Sequence, residues 1–126
     1  KTSVQRRIII ERKGGFSMDR TFYLKGNTLI ACLSGEIEHH IAEKIRNDID
    51  DEIRLYGTKN LILDFSKVTF MDSSGVGVVL GRYKKLKEIG GKVTVRNAGR
   101  LVKQILELSG VFSLMDYEET EGDNGK

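Results

Sequence analysis

A chain of 126 residues that is 39% apolar and 31% charged, with no proline and one cysteine, is expected to be one domain, long enough to bury a single core without disulfides or structural metals. The lone Cys32 excludes an internal disulfide, no run approaches the roughly 18 consecutive apolar residues that span a bilayer, and no secretory signal pattern is seen, so a cytoplasmic protein with no membrane partner is expected. The formal net charge of +3 is not a nucleic-acid footprint: Lys1, Arg6, Arg7, Arg12 and Lys13 against Glu11 give residues 1–17 a charge of +4 and leave residues 18–126 at −1, and direct nucleic-acid binding is not expected.

Residues 1–17 are basic, Gly-interrupted and terminal, and are expected to form a disordered leader, although Ile8-Ile9-Ile10 could make an edge strand. Lys13-Gly14-Gly15 is also what in-frame translation of a purine-rich ribosome-binding sequence ahead of a start at Met18 would produce, which would leave the leader without function. Residues 22–25 and 28–34 read as strands joined by Gly26-Asn27, a tight-hairpin pair in the reverse of the commoner order. Leu29, Ala31 and Leu33 alternate with Ile30 and Cys32, so the second of these strands is apolar on both faces and central, with Cys32 a small core residue. Residues 34–38 form a connecting loop.

From His39, the recurrence of Ile41, Ile45, Ile49 and Ile53, widened by Ala42 and Tyr56, predicts an amphipathic helix closed by Gly57. Residues 60–65 are a buried strand. Val76, Val79, Leu80 and Tyr83 then fall at helical spacing from about Ser74 to Gly90-Gly91. Residues 92–96 alternate as a strand, Leu101, Val102, Ile105, Leu106 and Leu108 make a shorter helix ending near Gly110, and residues 111–115 return as a short apolar segment or strand. From Asp116 the chain turns acidic and is expected to lose order, with residues 119–126 a polar tail after a domain of residues 18–118. Right-handed strand-helix-strand connections then give an α/β fold: a mixed four- or five-stranded sheet with helices packed mainly on one face.

The chemistry concentrates where the chain passes from extended to helical, at Asp72-Ser73-Ser74-Gly75, because α/β sheets receive ligands and partners beyond the carboxyl ends of their strands. Gly75-Val76-Gly77 followed by Gly81 matches neither dinucleotide nor P-loop spacing, so these glycines are expected to let the helix pack closely on the sheet, and the serines lack the preceding Gly of a hydrolase elbow. His39 and His40 show no metal-ligand spacing to a cysteine or carboxylate, so no metal, cofactor or catalytic activity is expected. Asp and Ser are favoured N-caps, and a cap stabilises a helix by about 0.5–2 kcal/mol. Three such residues in a row exceed what a cap needs, and Phe70-Met71 places large apolar side chains beside them.

The stretch Phe70-Met71-Asp72-Ser73-Ser74-Gly75-Val76-Gly77-Val78-Val79-Leu80-Gly81-Arg82-Tyr83-Lys84 resembles the anti-sigma factor antagonists of the STAS domain family, as do Gly35-Glu36-Ile37-Glu38-His39-His40, Ile89-Gly90-Gly91 and Ser109-Gly110-Val111-Phe112. Within the family the likeness is to the antagonists of the anti-sigma F factor, and it covers about residues 18–118. The resemblance implies the STAS fold and a partner switch. Unmodified protein would bind an anti-sigma factor that is also a serine kinase, releasing the sporulation sigma factor F; phosphorylation of Ser73 would end the interaction and a protein serine phosphatase would restore it. Ser74 would be the unmodified neighbour, and Glu38, commonly Asp in the family, would contact the partner. Met71, Asp72, Ser74, Gly75 and Val76 complete the expected partner-binding set, Gly75 because a side chain there would stand between backbone and partner. Family members usually continue into a further C-terminal helix, where this chain has a polar tail. The competing readings are an antagonist in another sigma-factor circuit, such as general stress response, and a small nucleotide-binding enzyme.

Overall fold

The computed structural model describes residues 8–14 and 17–120. In chain order its elements are β1 (Ile8–Gly14), β2 (Ser17–Lys25), β3 (Thr28–Ile37), α1 (His39–Tyr56), β4 (Asn60–Met71), α2 (Ser73–Glu88), β5 (Lys92–Arg96), α3 (Arg100–Leu108), a 3-10 turn (Val111–Ser113) and β6 (Asp116–Glu118). The strands lie in one sheet in the order of the chain. β1, β2 and β3 pair antiparallel, and β3 to β6 run parallel. Each parallel connection steps to the next strand in the same direction, so right-handed crossovers bring all three helices to one face.

Register explains the core. Leu29, Leu61 and Val93 form one row across β3, β4 and β5, and Ala31, Leu63 and Val95 form the next, each residue at most 2% exposed. Ile45 and Ile49 of α1, Val79 and Leu86 of α2, and Val102 and Leu106 of α3 close over these rows. Two ion pairs, each of a buried arginine with a half-buried aspartate, tie α1 to its neighbours: Arg20 of β2 reaches Asp48 at 2.6 Å, and Arg82 of α2 reaches Asp50 at 2.9 Å. α1 ends as the periodicity predicts, with Gly57 at φ 64° donating its N–H to the Ile53 carbonyl at 2.8 Å. Cys32 is half-buried on the opposite side of β3.

The mixed sheet and three helices match the sequence-based expectation, and two edge strands bring the sheet to six. Where disorder was expected, Ile8–Gly14 pairs antiparallel with β2, from Ile8 opposite Leu24 to Gly14 opposite Ser17. The β-branched run has an open ladder to bind because β2 starts at Ser17 and would otherwise be the sheet edge. The rest of the expected leader, residues 1–7 and 15–16, and residues 121–126 of the expected tail lie outside the described residues.

At the other edge, order persists past Asp116. Val111–Ser113 is a 3-10 turn rather than a strand, and Asp116–Glu118 instead pairs with β5. The Tyr117 hydroxyl accepts from Ala98 N at 3.0 Å, its ring meets Phe112 edge-on at 5.1 Å, and Thr120 N donates to Asn97 Oδ1 at 2.9 Å. Burial and the neighbouring Glu119 carboxylate push the Tyr117 hydroxyl up to about 12.

The central pair is longer than the apolar pattern suggests. Residues 34–37 of the expected loop are the end of β3, Glu38 caps α1, and β4 continues past Phe65 to Met71. Two register irregularities, between Cys32 and Ser34 and between Gly35 and Glu36, absorb the mismatch and bring Ile37 opposite Met71.

Candidate functional site

Ile37 and Met71 are the last paired residues of two adjacent parallel strands, and each is 1% exposed. Each is followed by an acidic residue in extended backbone, Glu38 at φ −121° and Asp72 at φ −107°, and then by a helix. Glu38 Oε1 accepts from His40 N at 2.9 Å, and Asp72 Oδ1 accepts from Ser74 N at 2.8 Å. α1 and α2 therefore begin side by side beyond the carboxyl edge of the sheet, both with carboxylate N-caps.

Asp72 also reaches across. Its second oxygen accepts from His39 N, the first residue of the neighbouring helix, at 3.2 Å, while its own N–H donates to the Ile37 carbonyl at 3.2 Å. One carboxylate thus fastens both helix starts. Partial burial raises the Asp72 carboxyl, but the N–H groups of Ser74, Gly75 and His39 outweigh it and hold the group below its ordinary range. The His40 N–H, then the His40 ring, holds Glu38 low in the same way.

On this frame Ser73, the first residue of α2, is exposed, and its hydroxyl makes no hydrogen bond among the described residues. Ser74 is half-buried and lines a groove of about 330 Å³ between the two helices, with His39, Glu43 and Arg46 on one wall and Gly77 and Val78 on the other. Phe70 projects 40% exposed just before the loop. The site therefore offers an open hydroxyl at a helix N-terminus, where free N–H groups and the helix dipole favour added negative charge.

Three residues expected at the partner surface lie beneath it. Met71 and Val76 are 1% and 7% exposed and belong to the core cluster. Gly75 is buried, and a Cβ there would sit 3.0 Å from Met71 Cε and 3.1 Å from the Ile37 carbonyl oxygen. Its missing side chain lets α2 start against the ends of β3 and β4, which is the close helix-on-sheet packing expected of this glycine. The three shape the loop from below, and the accessible surface falls to the exposed Ser73 and Phe70 and the half-buried Glu38, Asp72 and Ser74.

Sequence reading missed the Asp72–His39 tie. Its signal is the parallel build of two segments, Ile37-Glu38-His39-His40 and Met71-Asp72-Ser73-Ser74, each an apolar strand end, an acid and two polar residues. It also missed that Glu38, His39 and His40 bring one donor atom each within 4.8 Å of one another. Among the described residues, no helix is long and apolar enough to cross a membrane.

The STAS domain family model matches residues 21–124. The chain is 38% identical over 93 residues to the anti-sigma F factor antagonist of Paenibacillus polymyxa, covering 74% of this chain and 80% of that protein. It also superimposes on the anti-sigma factor antagonist SpoIIAA solved in its unphosphorylated form, with TM-score 0.71, 33% identity, and coverage of 81% of this chain and 89% of that one. For the Bacillus cell fate determinant SpoIIAA in its phosphorylated form the TM-score is 0.65 at 32% identity, with 81% and 92% covered.

Proposed function

The chain belongs to the STAS domain family, and we propose that within it the protein is an anti-sigma factor antagonist worked by a phosphorylation switch at Ser73. Unmodified, it docks on an anti-sigma factor that is also a serine kinase, and so frees a sigma factor. Phosphorylation of Ser73 ends the docking, and a protein serine phosphatase restores it. The circuit is that of the sporulation sigma factor F, a reading supported by the identity to the anti-sigma F factor antagonist of Paenibacillus polymyxa. The setting is cytoplasmic.

The observation that carries this reading is the contrast between adjacent serines. Ser73 presents a free hydroxyl at the first helical position, whereas Ser74 is half-buried with its N–H held by Asp72. A kinase reaches the first without disturbing the cap. A relative solved in both unphosphorylated and phosphorylated forms supports a modification that leaves the fold standing.

Phosphorylation adds about −1.5 to −2 charges, which the N–H groups and dipole of α2 tolerate in the free protein. Docked about 6 Å from a partner carboxylate, at an effective dielectric near 40, the phosphate costs on the order of 2–3 kcal/mol. That is roughly 30- to 150-fold in affinity, so the switch acts at the interface and not on the core. Glu38, Asp72, Ser74 and Phe70 supply the contact surface around Ser73, and Met71, Gly75 and Val76 hold it in shape. The test is to incubate the protein with the anti-sigma kinase and ATP and map the added mass of about 80 Da to a residue. The phosphate should sit on Ser73 and be absent from Ser73→Ala; phosphate on Ser74 contradicts the assignment.

A further inference from the structure

Adjacent histidines after an acid would not share a ligand in a regular helix, since neighbouring positions point about 100° apart. At this helix start they do. Glu38 is still extended, and its carboxylate folds back over the first turn to accept from His40 N at 2.9 Å. That places Oε1 2.8 Å from His40 Nδ1 and 3.6 Å from His39 Nδ1, with the two rings 3.9 Å apart between centroids. We propose that Glu38, His39 and His40 form a surface site for one divalent transition-metal ion of the zinc class, with water in the fourth position.

The distances suit such an ion. A tetrahedral ion with bonds of about 2.0–2.1 Å keeps its ligand atoms about 3.3–3.4 Å apart, between the two Glu38–histidine separations, so small ring rotations complete the geometry. Asp72 Oδ2 lies 4.0 Å from His39 Nδ1 but outside the three-residue cluster, so water fills the fourth position. Two imidazoles and a carboxylate favour zinc, nickel or copper over magnesium or calcium, which seek oxygen alone. The helix dipole opposes a cation here, but the Glu38 carboxylate is itself a ligand and the Asp72 carboxylate lies beside His39. Both histidine side chains are largely exposed, 68% and 78%, so the ion has an open path. Without metal, the short contact from His40 Nδ1 to Glu38 Oε1 is a hydrogen bond. With metal, the neutral ring carries its proton on Nε2 and the Nδ1 lone pair goes to the ion.

The site does not depend on the partner switch, and its test needs no partner. Unphosphorylated full-length protein is titrated with Zn²⁺ against a chromophoric chelator, alongside His40→Gln, the double variant His39→Gln/His40→Gln, and Glu38→Gln. The expected result is one tight Zn²⁺ per chain and a melting temperature that rises with Zn²⁺. His40→Gln should weaken binding by at least the roughly 10- to 100-fold seen on losing even an outer-shell partner, and the double variant should abolish it. Glu38→Gln, which keeps a capping oxygen but removes the charge, should weaken binding too. If that variant misfolds, the double variant decides alone, because its side chains are exposed. Absence of Zn²⁺ binding in the unaltered protein, undiminished binding by the double variant, or Mg²⁺ binding as tight as Zn²⁺ overturns the proposal.

Discussion

The starts of α1 and α2 are built on one plan and put to different uses. Each comes after the end of a central parallel strand, buries the last strand residue, and caps its first turn with a carboxylate. They differ in the groups that acid holds and in the two residues next to it. The longer Glu38 turns back on its own helix and meets two imidazoles; the shorter Asp72 divides its oxygens between its own helix and the neighbour's first N–H, and precedes two hydroxyls. A shared backbone plan thus yields one position suited to a cation and another suited to a phosphoryl group, and the side chains alone make the difference. Two helix N-termini side by side bring like dipole ends together, and the shared Asp72 offsets both.

The two starts part most sharply at the fifth residue of each segment, where α1 has Ile41 and α2 has Gly75. Gly75→Val should cost about 1–3 kcal/mol, because the new side chain meets Met71 and the Ile37 carbonyl and the backbone cannot yield cheaply. Urea unfolding should show it as a lower midpoint at unchanged slope. Next in size, Asp72→Ala should lose about twice the thermal stability lost by Glu38→Ala, since it strands N–H donors on two helices where Glu38→Ala strands one. Equal losses would mean that the Asp72–His39 tie contributes nothing.

The same asymmetry should appear in acid. Both carboxyls are held below their ordinary values of 4.5 for Glu38 and 3.8 for Asp72, so their contribution is present above those values and is lost as pH falls through the lower folded ones. Asp72→Asn should flatten the decline in stability below about pH 4 relative to the unaltered protein, as followed by thermal melts across pH. Smallest of all, Ser74→Ala should shift stability by no more than about 0.5 kcal/mol and leave Ser73 open to phosphorylation, which calorimetry and peptide mass analysis together check.

Much of this was legible in the chain. The spacing of Ile41, Ile45, Ile49 and Ile53 fixes the first helix and its buried stripe, and Asp72-Ser73-Ser74 announces both a cap and surplus hydroxyls. The features that stayed hidden depend on long-range register. Ser34-Gly35-Glu36 and Ser66-Lys67 are polar, so nothing local says that β3 and β4 continue through them; two irregularities in their pairing make it possible. β1 and β6 are edge strands, held by a ladder that only the neighbouring strand supplies. That Met71 and Gly75 lie inward is a consequence of the same register, whereas Val76 lies inward as the helical spacing of Val76, Val79, Leu80 and Tyr83 predicts. The Glu38–His39–His40 cluster escaped because helical periodicity separates adjacent residues, whereas the capping conformation brings these three together.

Charge on Ser73 should block docking without disturbing the fold, which is measured by the affinity of the anti-sigma kinase for stoichiometrically phosphorylated and for unmodified protein, with melting curves of both. Binding should be roughly 30- to 150-fold weaker after phosphorylation. The two melting temperatures should agree within a few degrees. Equal affinities, or a phosphorylated protein that binds poorly because it has unfolded, would contradict the switch.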